Sequence, residues 1–127
     1  MFEMQVKGTF DAAHQLRNYM GKCSRLHGHT WTVELKVRGE TLDDLGMLVD
    51  FGELNRLLKA TLESLDHQNL NEIPPFIKVN PTAENIAKYL YETLAAQPLF
   101  EAGDARLSSV CVWESPHSAV CYDGANP

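Results

Sequence analysis

The sequence predicts an α+β fold, with two helices packed on one face of an antiparallel four-stranded sheet. Three observations carry this. Apolar residues alternate with polar ones over two N-terminal segments, switch to helical spacing over two central ones, and return to short apolar runs near the C-terminus. The element order is β-β-α-α-β-β, within one expected domain over residues 1–127.

Phe2, Met4, Val6 and Phe10 stand at even positions, with Glu3, Gln5, Lys7 and Thr9 among the odd ones. A period of two buries one face of a strand and wets the other. Residues 30–38 repeat it: Trp31, Val33, Leu35 and Val37 face one way, Thr32, Glu34, Lys36 and Arg38 the other. The irregular connection, residues 15–26, carries Arg17, Lys22 and Arg25. A solvated loop and a local anion site both fit them. Leu54, Leu57, Leu58, Leu62 and Leu65 then form a helical stripe. Asp50 with Glu53 opens that helix in the manner of a capping box, and its end is expected between Leu65 and Asn71. Thr82 is the expected N-cap of the second helix, with Glu84 complementing the dipole and Ile86, Ala87, Leu90 and Leu94 as its stripe. Strands return at residues 106–114 and 119–122, across a Ser-Pro-His turn that holds His117.

Composition narrows the function classes. With 44% hydrophobic and 22% charged residues the chain builds an ordinary core and is not a disordered or low-complexity array. A net charge of −6 leaves too few clustered cations for a duplex nucleic-acid surface. No stretch approaches the roughly 20 apolar residues that cross a bilayer, and MFEMQVKGTF lacks the basic-then-apolar order of a secretory signal. Three cysteines is an odd number, which points to reduced thiols in a cytoplasmic protein. Cys111 and Cys121 fall in apolar strands and are expected in the core, although a hairpin turned near Pro116 would set them opposite each other.

The chemistry concentrates in the histidines. His27 and His29, two apart on a strand, share the parity of Trp31 and Val33. Carried past Phe10 without a bulge, the parity of the first strand puts His14 on its apolar face as well. Three neutral imidazoles converging from neighbouring strands form the ligand set of a catalytic zinc with an open fourth position. Cys23, four residues ahead of His27, is a base or nucleophile, a fourth zinc ligand, or an inert packed thiol. Asp66-His67 has the composition of a proton-relay pair, which a helix C-terminus also favours. Glu114 continues the face of Val110 and Val112, where a carboxylate either meets paired donors of a heterocycle or ends the strand in solvent.

Taken together, Phe10-Asp-Ala-Ala-His14, Cys23-x-x-x-His27-Gly-His29, Leu65-Asp66-His67, Asn80-Pro81-Thr82-Ala-Glu84 and Glu114 resemble the 6-pyruvoyltetrahydropterin synthase superfamily. The three-residue gap between Cys23 and His27 is similar to that of its bacterial carboxytetrahydropterin branch, which serves queuosine biosynthesis. The resemblance implies His14, His27 and His29 as zinc ligands, Cys23 as the catalytic thiol, and Asp66 with His67 as the proton relay. It implies Glu114 as the anchor of the pterin ring, with Thr82 and Glu84 lining the same pocket. It further implies the tunnelling fold, a trimer-based homo-oligomer of up to six subunits, and active sites between subunits. The reaction implied converts 7,8-dihydroneopterin triphosphate to 6-carboxy-5,6,7,8-tetrahydropterin, releasing acetaldehyde and triphosphate. The alternatives are pyruvoyl-type triphosphate elimination on the same site, a non-catalytic pterin- or purine-binding relative, and a structural zinc module.

Overall fold

In the computed structural model, which describes residues 1–124, strand β1 (Phe2–His14) turns back through residues 15–26 into β2 (His27–Gly39). Residues 125–127 of the expected 1–127 domain lie outside the described residues. The two strands pair antiparallel from Phe2↔Gly39 to His14↔His27 in one unbroken register. Alternation read at Phe2 therefore still holds at His14.

Helix α1 (Phe51–Glu63) follows, capped by the Asp50 side chain on the Gly52 N–H rather than on Glu53, and ending ahead of the expected position. Its Leu54, Leu58 and Leu62 are buried over β1, where Gly8 leaves room for Leu58 and Leu62. A side chain at Gly8 would bring its Cβ to 3.0 Å from Leu62 Cδ1. Helix α2 (Ala83–Ala95) begins at Thr82, whose hydroxyl accepts from the Asn85 N–H as expected of an N-cap. Its Ile86, Ala87, Leu90 and Leu94 are fully buried against β4 (Arg106–Ser115) and β5 (Ser118–Tyr122).

The sheet has five strands among the described residues, not four, in the order β3-β1-β2-β4-β5. The addition is β3 (Gln68–Asn69), which runs parallel to β1 at Ala12 and Ala13. Two residues cannot display an alternation, so sequence periodicity has nothing to register there. Both helices cover the face bearing Phe10, Trp31, Val33, Leu35, Val110 and Val112, which form one core. No helix among the described residues is long and apolar enough to cross a membrane.

The hairpin β4–β5 corrects the thiol reading. Cys111 and Cys121 face each other, with Cα atoms 3.9 Å apart, and form a disulfide. Cys111 is buried as expected, but Cys121 lies on an exposed position and is not core. Among the described residues Cys23 alone is a free thiol.

Because Leu58 is 1% exposed, Leu58→Ala removes buried methyl groups over Gly8. It is expected to lower unfolding free energy by about 2–5 kcal/mol, measured by urea denaturation. A loss well below about 1 kcal/mol would show that this contact does not hold α1 on the sheet.

Candidate active site

The end of the β1–β2 hairpin is where the core turns polar. His14 is 2% exposed, beside Trp31 at 4.9 Å between ring centroids, and His29 stands 5.1 Å from the same indole. His27 faces His14 at 4.6 Å between ring centroids. Ligand atoms of His14, His27, His29 and Glu114 all lie within 4.8 Å of one another.

Hydrogen bonds fix which nitrogens point inward. Nδ1 of His14 lies 2.7 Å from the Pro81 carbonyl, and Nδ1 of His27 lies 2.7 Å from the Arg25 carbonyl. A carbonyl only accepts, so each Nδ1 carries the proton and each Nε2 keeps its lone pair. Nε2 of His14 and of His29 are buried without a hydrogen-bond partner. The Glu114 Oε1 lies 3.1 Å from His29 Nε2 and 4.0 Å from His14 Nε2. Buried acceptors crowded on one point repel each other, and a cation among them removes that cost. The donor set, three imidazoles and a carboxylate, suits a divalent transition metal.

Burial pushes the pKa of both His14 and His29 below the ordinary histidine value, against the Pro81 hydrogen bond and then Glu114 at His14, and against Glu114 at His29. They therefore stay neutral, as ligands must.

The second expected group assembles separately. Asp66 Oδ2 lies 2.9 Å from His67 Nδ1, and its Oδ1 accepts the Asp11 backbone N–H at 2.8 Å. The Asp11 carbonyl accepts the His67 N–H at 2.6 Å, and His67 takes a left-handed φ of 57° to reach it. The Asp11 N–H bond, ahead of the contact with His67, holds the Asp66 carboxyl below its ordinary value. Asp11 also accepts from the Thr30 hydroxyl at 2.5 Å. Sequence reading passed over Asp11 because its odd parity faces away from His14; that parity aims it at Asp66. A cavity of about 590 Å³ is lined by Asp11, Gly28, His29, Thr30 and His67, so His29 is the member of the first group that borders the space beside His67.

The remaining candidates fall at the rim. Cys23 sits half-buried in a short turn (Lys22–Ser24) and is not part of the histidine–glutamate group among the described residues. Glu114 joins the histidines, at the register shift between Trp113 and Ser115, and also lines a cavity of about 600 Å³ with His29, Thr32, Glu34 and Trp113. Thr82 directly follows Pro81 but its hydroxyl is engaged as the cap, and Glu84 is exposed on the first turn of α2. His117 is a turn residue. Of the three cations in the connection, Arg17 donates to the carbonyls of Phe76, Asn71 and Val79, so it holds a loop rather than an anion. Lys22 and Arg25 are exposed.

The family described as 6-pyruvoyl tetrahydropterin synthase matches residues 3–125. The 6-carboxy-5,6,7,8-tetrahydropterin synthase of Bacillus subtilis is 36% identical over 126 residues, covering 95% of this chain and 84% of its own. The dihydroneopterin monophosphate aldolase of Pyrococcus furiosus is 35% identical over 90% of both chains. The solved structure of Caenorhabditis elegans 6-pyruvoyl tetrahydropterin synthase superposes with a TM-score of 0.82 at 30% identity, covering 98% of this chain and 96% of that one. The fold is the tunnelling fold.

Metal-free protein supplies a pH test of the histidine cluster. Histidines of the unfolded chain titrate near pH 6.5, whereas folded His14 and His29 resist protonation. Their contribution is complete above about pH 6.5 and is lost as the pH falls through that value toward the lowered folded values. The urea midpoint of the metal-free chain is expected to drop between about pH 7.5 and pH 5.5. A flat or rising midpoint would contradict the burial of neutral imidazoles.

Proposed function

This chain belongs to the 6-pyruvoyl tetrahydropterin synthase family, and we propose that it is a zinc-dependent lyase of the carboxy branch. Its reaction converts 7,8-dihydroneopterin triphosphate to 6-carboxy-5,6,7,8-tetrahydropterin, with release of acetaldehyde and triphosphate, in queuosine biosynthesis. The observation that carries the reading is the convergence of the buried Nε2 atoms of His14 and His29, which make no hydrogen bond, with His27 and Glu114. The name of the Bacillus subtilis relative and the Cys23-to-His27 gap support the branch. The Pyrococcus furiosus relative, at nearly the same identity, supports a second reading in which the same site cleaves a monophosphate.

His14, His27 and His29 would hold the zinc through Nε2. Zinc bound there lowers the pKa of substrate hydroxyls and stabilises negative charge developed on their oxygens. Asp66 holds Nδ1 of His67, leaving Nε2 to take or deliver a proton in the cavity that His67 lines. Cys23 Sγ is the second proton-transfer group in this proposal. The Glu114 carboxylate orients the amino-pyrimidine edge of the ring, so that the reacting side chain stays beside the histidines. Thr82 and Glu84, at the start of α2, complete the pocket wall. The sheet leaves an outer edge on β5 and carries its helices on one face only, which leaves surface for assembly with further copies; a trimer-based homo-oligomer in the cytoplasm, with sites between subunits, is what the family resemblance implies.

Incubation with dihydroneopterin triphosphate, with and without a chelator, tests the reaction by product mass. Acetaldehyde and the carboxylated pterin are expected, and only without chelator. Loss of triphosphate with an uncleaved side chain would overturn the carboxy assignment in favour of pyruvoyl-type elimination. Cys23→Ala should abolish turnover and keep one zinc per chain, whereas zinc loss would make Cys23 a ligand. His27→Ala should remove metal and activity together.

A further inference from the structure

We infer that Asn80 is a positioning residue for the metal centre, acting through Pro81 on His14; this rests on the reading of His14 as a metal ligand. After His14 the chain leaves the sheet; Leu16 donates its N–H to the Cys23 carbonyl at 2.8 Å, but the side that Gln15 and Arg17 present has no strand partner. Two asparagine side chains replace that partner at alternate residues. Asn71 Oδ1 accepts the Gln15 N–H at 2.9 Å, and Asn71 Nδ2 donates to the Gln15 carbonyl at 2.9 Å. Asn80 treats Arg17 the same way, accepting its N–H at 2.9 Å and donating to its carbonyl at 3.0 Å. An amide side chain offers one acceptor and one donor side by side, as a peptide group of a neighbouring strand does.

The consequence for His14 follows from one residue of chain. Pro81, next to Asn80, supplies the carbonyl that holds His14 Nδ1 at 2.7 Å. The Asn80 carbonyl is itself fixed by the Asn85 side chain and the Thr82 N–H, both at 2.8 Å. The contacts close a ring: His14 to Pro81, Pro81 to Asn80, Asn80 to Arg17, and Arg17 back along the chain to His14. The guanidinium of Arg17 fastens the enclosed loop, donating to Phe76 at 2.6 Å, Asn71 at 3.2 Å and Val79 at 3.3 Å. Without Asn80, the Pro81 carbonyl is tied only to the start of α2, and the His14 ring loses the reference that aims Nε2 at its fellow ligands. Outer contacts of this kind set metal affinity because they fix the tautomer and the direction of the ligand.

The test uses cobalt(II), titrated into metal-free protein by visible absorbance and by chelator competition. Asn80→Ala removes both bonds to Arg17; Asn80→Asp keeps the acceptor and sets an oxygen against the Arg17 carbonyl. Both are expected to weaken cobalt binding about ten- to hundred-fold and to shift the visible bands. Asp104→Ala is the control for ordinary loop stapling, since Asp104 accepts from the Glu40 and Thr41 N–H groups at the other end of β2. It should lower the urea midpoint and leave cobalt affinity and bands as in the unaltered chain. If the Asn80 variants lose stability but bind cobalt as the unaltered chain does, the positioning role is wrong and Asn80 is a structural staple. Should Asn80→Ala fail to fold, Asn80→Asp decides. If the unaltered chain binds no cobalt, or His14→Ala binds it equally well, the metal reading itself falls and takes this inference with it.

Discussion

The site depends on the unbroken pairing of β1 with β2, from Phe2↔Gly39 to His14↔His27. Side chains on a strand alternate strictly, so a single bulge anywhere between Phe10 and His14 would turn His14 to the opposite face. With the register intact, the alternation that buries Phe10 and Trp31 also buries His14 and directs His29 beside it. The metal-capable group is therefore the last layer of the hydrophobic core, written with imidazoles in place of aliphatic side chains. Its floor is Trp31, whose indole N–H donates to the Ala12 carbonyl at 3.3 Å and so is tied to the strand that carries His14.

Placing imidazoles in a core costs free energy, because each ring has two polar atoms and the sheet satisfies neither. The structure answers for one atom of His14 and one of His27 with loop carbonyls, those of Pro81 and Arg25. It leaves the Nε2 of His14 and of His29 without a hydrogen bond, facing the Glu114 carboxylate at 4.0 Å and 3.1 Å. A core selected for stability alone would have no use for that arrangement. Destabilised groups held by an otherwise well-packed sheet are the usual physical form of a binding site.

Much of this was legible in the residues, for a reason that also explains the failures. Periodicity exposes long elements, and the elements here that carry His14, His27, His29 and Glu114 are long strands. The same signal gave both helix stripes, down to Thr82 as the N-cap. It could not show β3, which is two residues long. Nor could it show that Arg17 faces three carbonyls or that Asn71 and Asn80 substitute for a strand, because those contacts join loops more than 50 positions apart. For Cys111 and Cys121 apolar neighbours favour packed thiols and a hairpin near Pro116 favours a facing pair; the antiparallel register decides for the pair.

Parity also explains how one small sheet carries two chemical groups at one end. On β1, His14 points into the core while Asp11, at odd parity, lies on the opposite face and anchors Asp66 and His67 through its backbone. On β2, Gly28 separates His27 from His29 and places no side chain on that opposite face. A Cβ there would meet only the Ala12 carbonyl, at 3.9 Å, so nothing in the backbone demands glycine and its effect is to keep the cavity open. Both groups then stand at the same end of the hairpin, on its two faces. Polar chemistry is thereby gathered where β1 ends and β2 begins, with three imidazoles on the core face and the Asp66–His67 pair on the other.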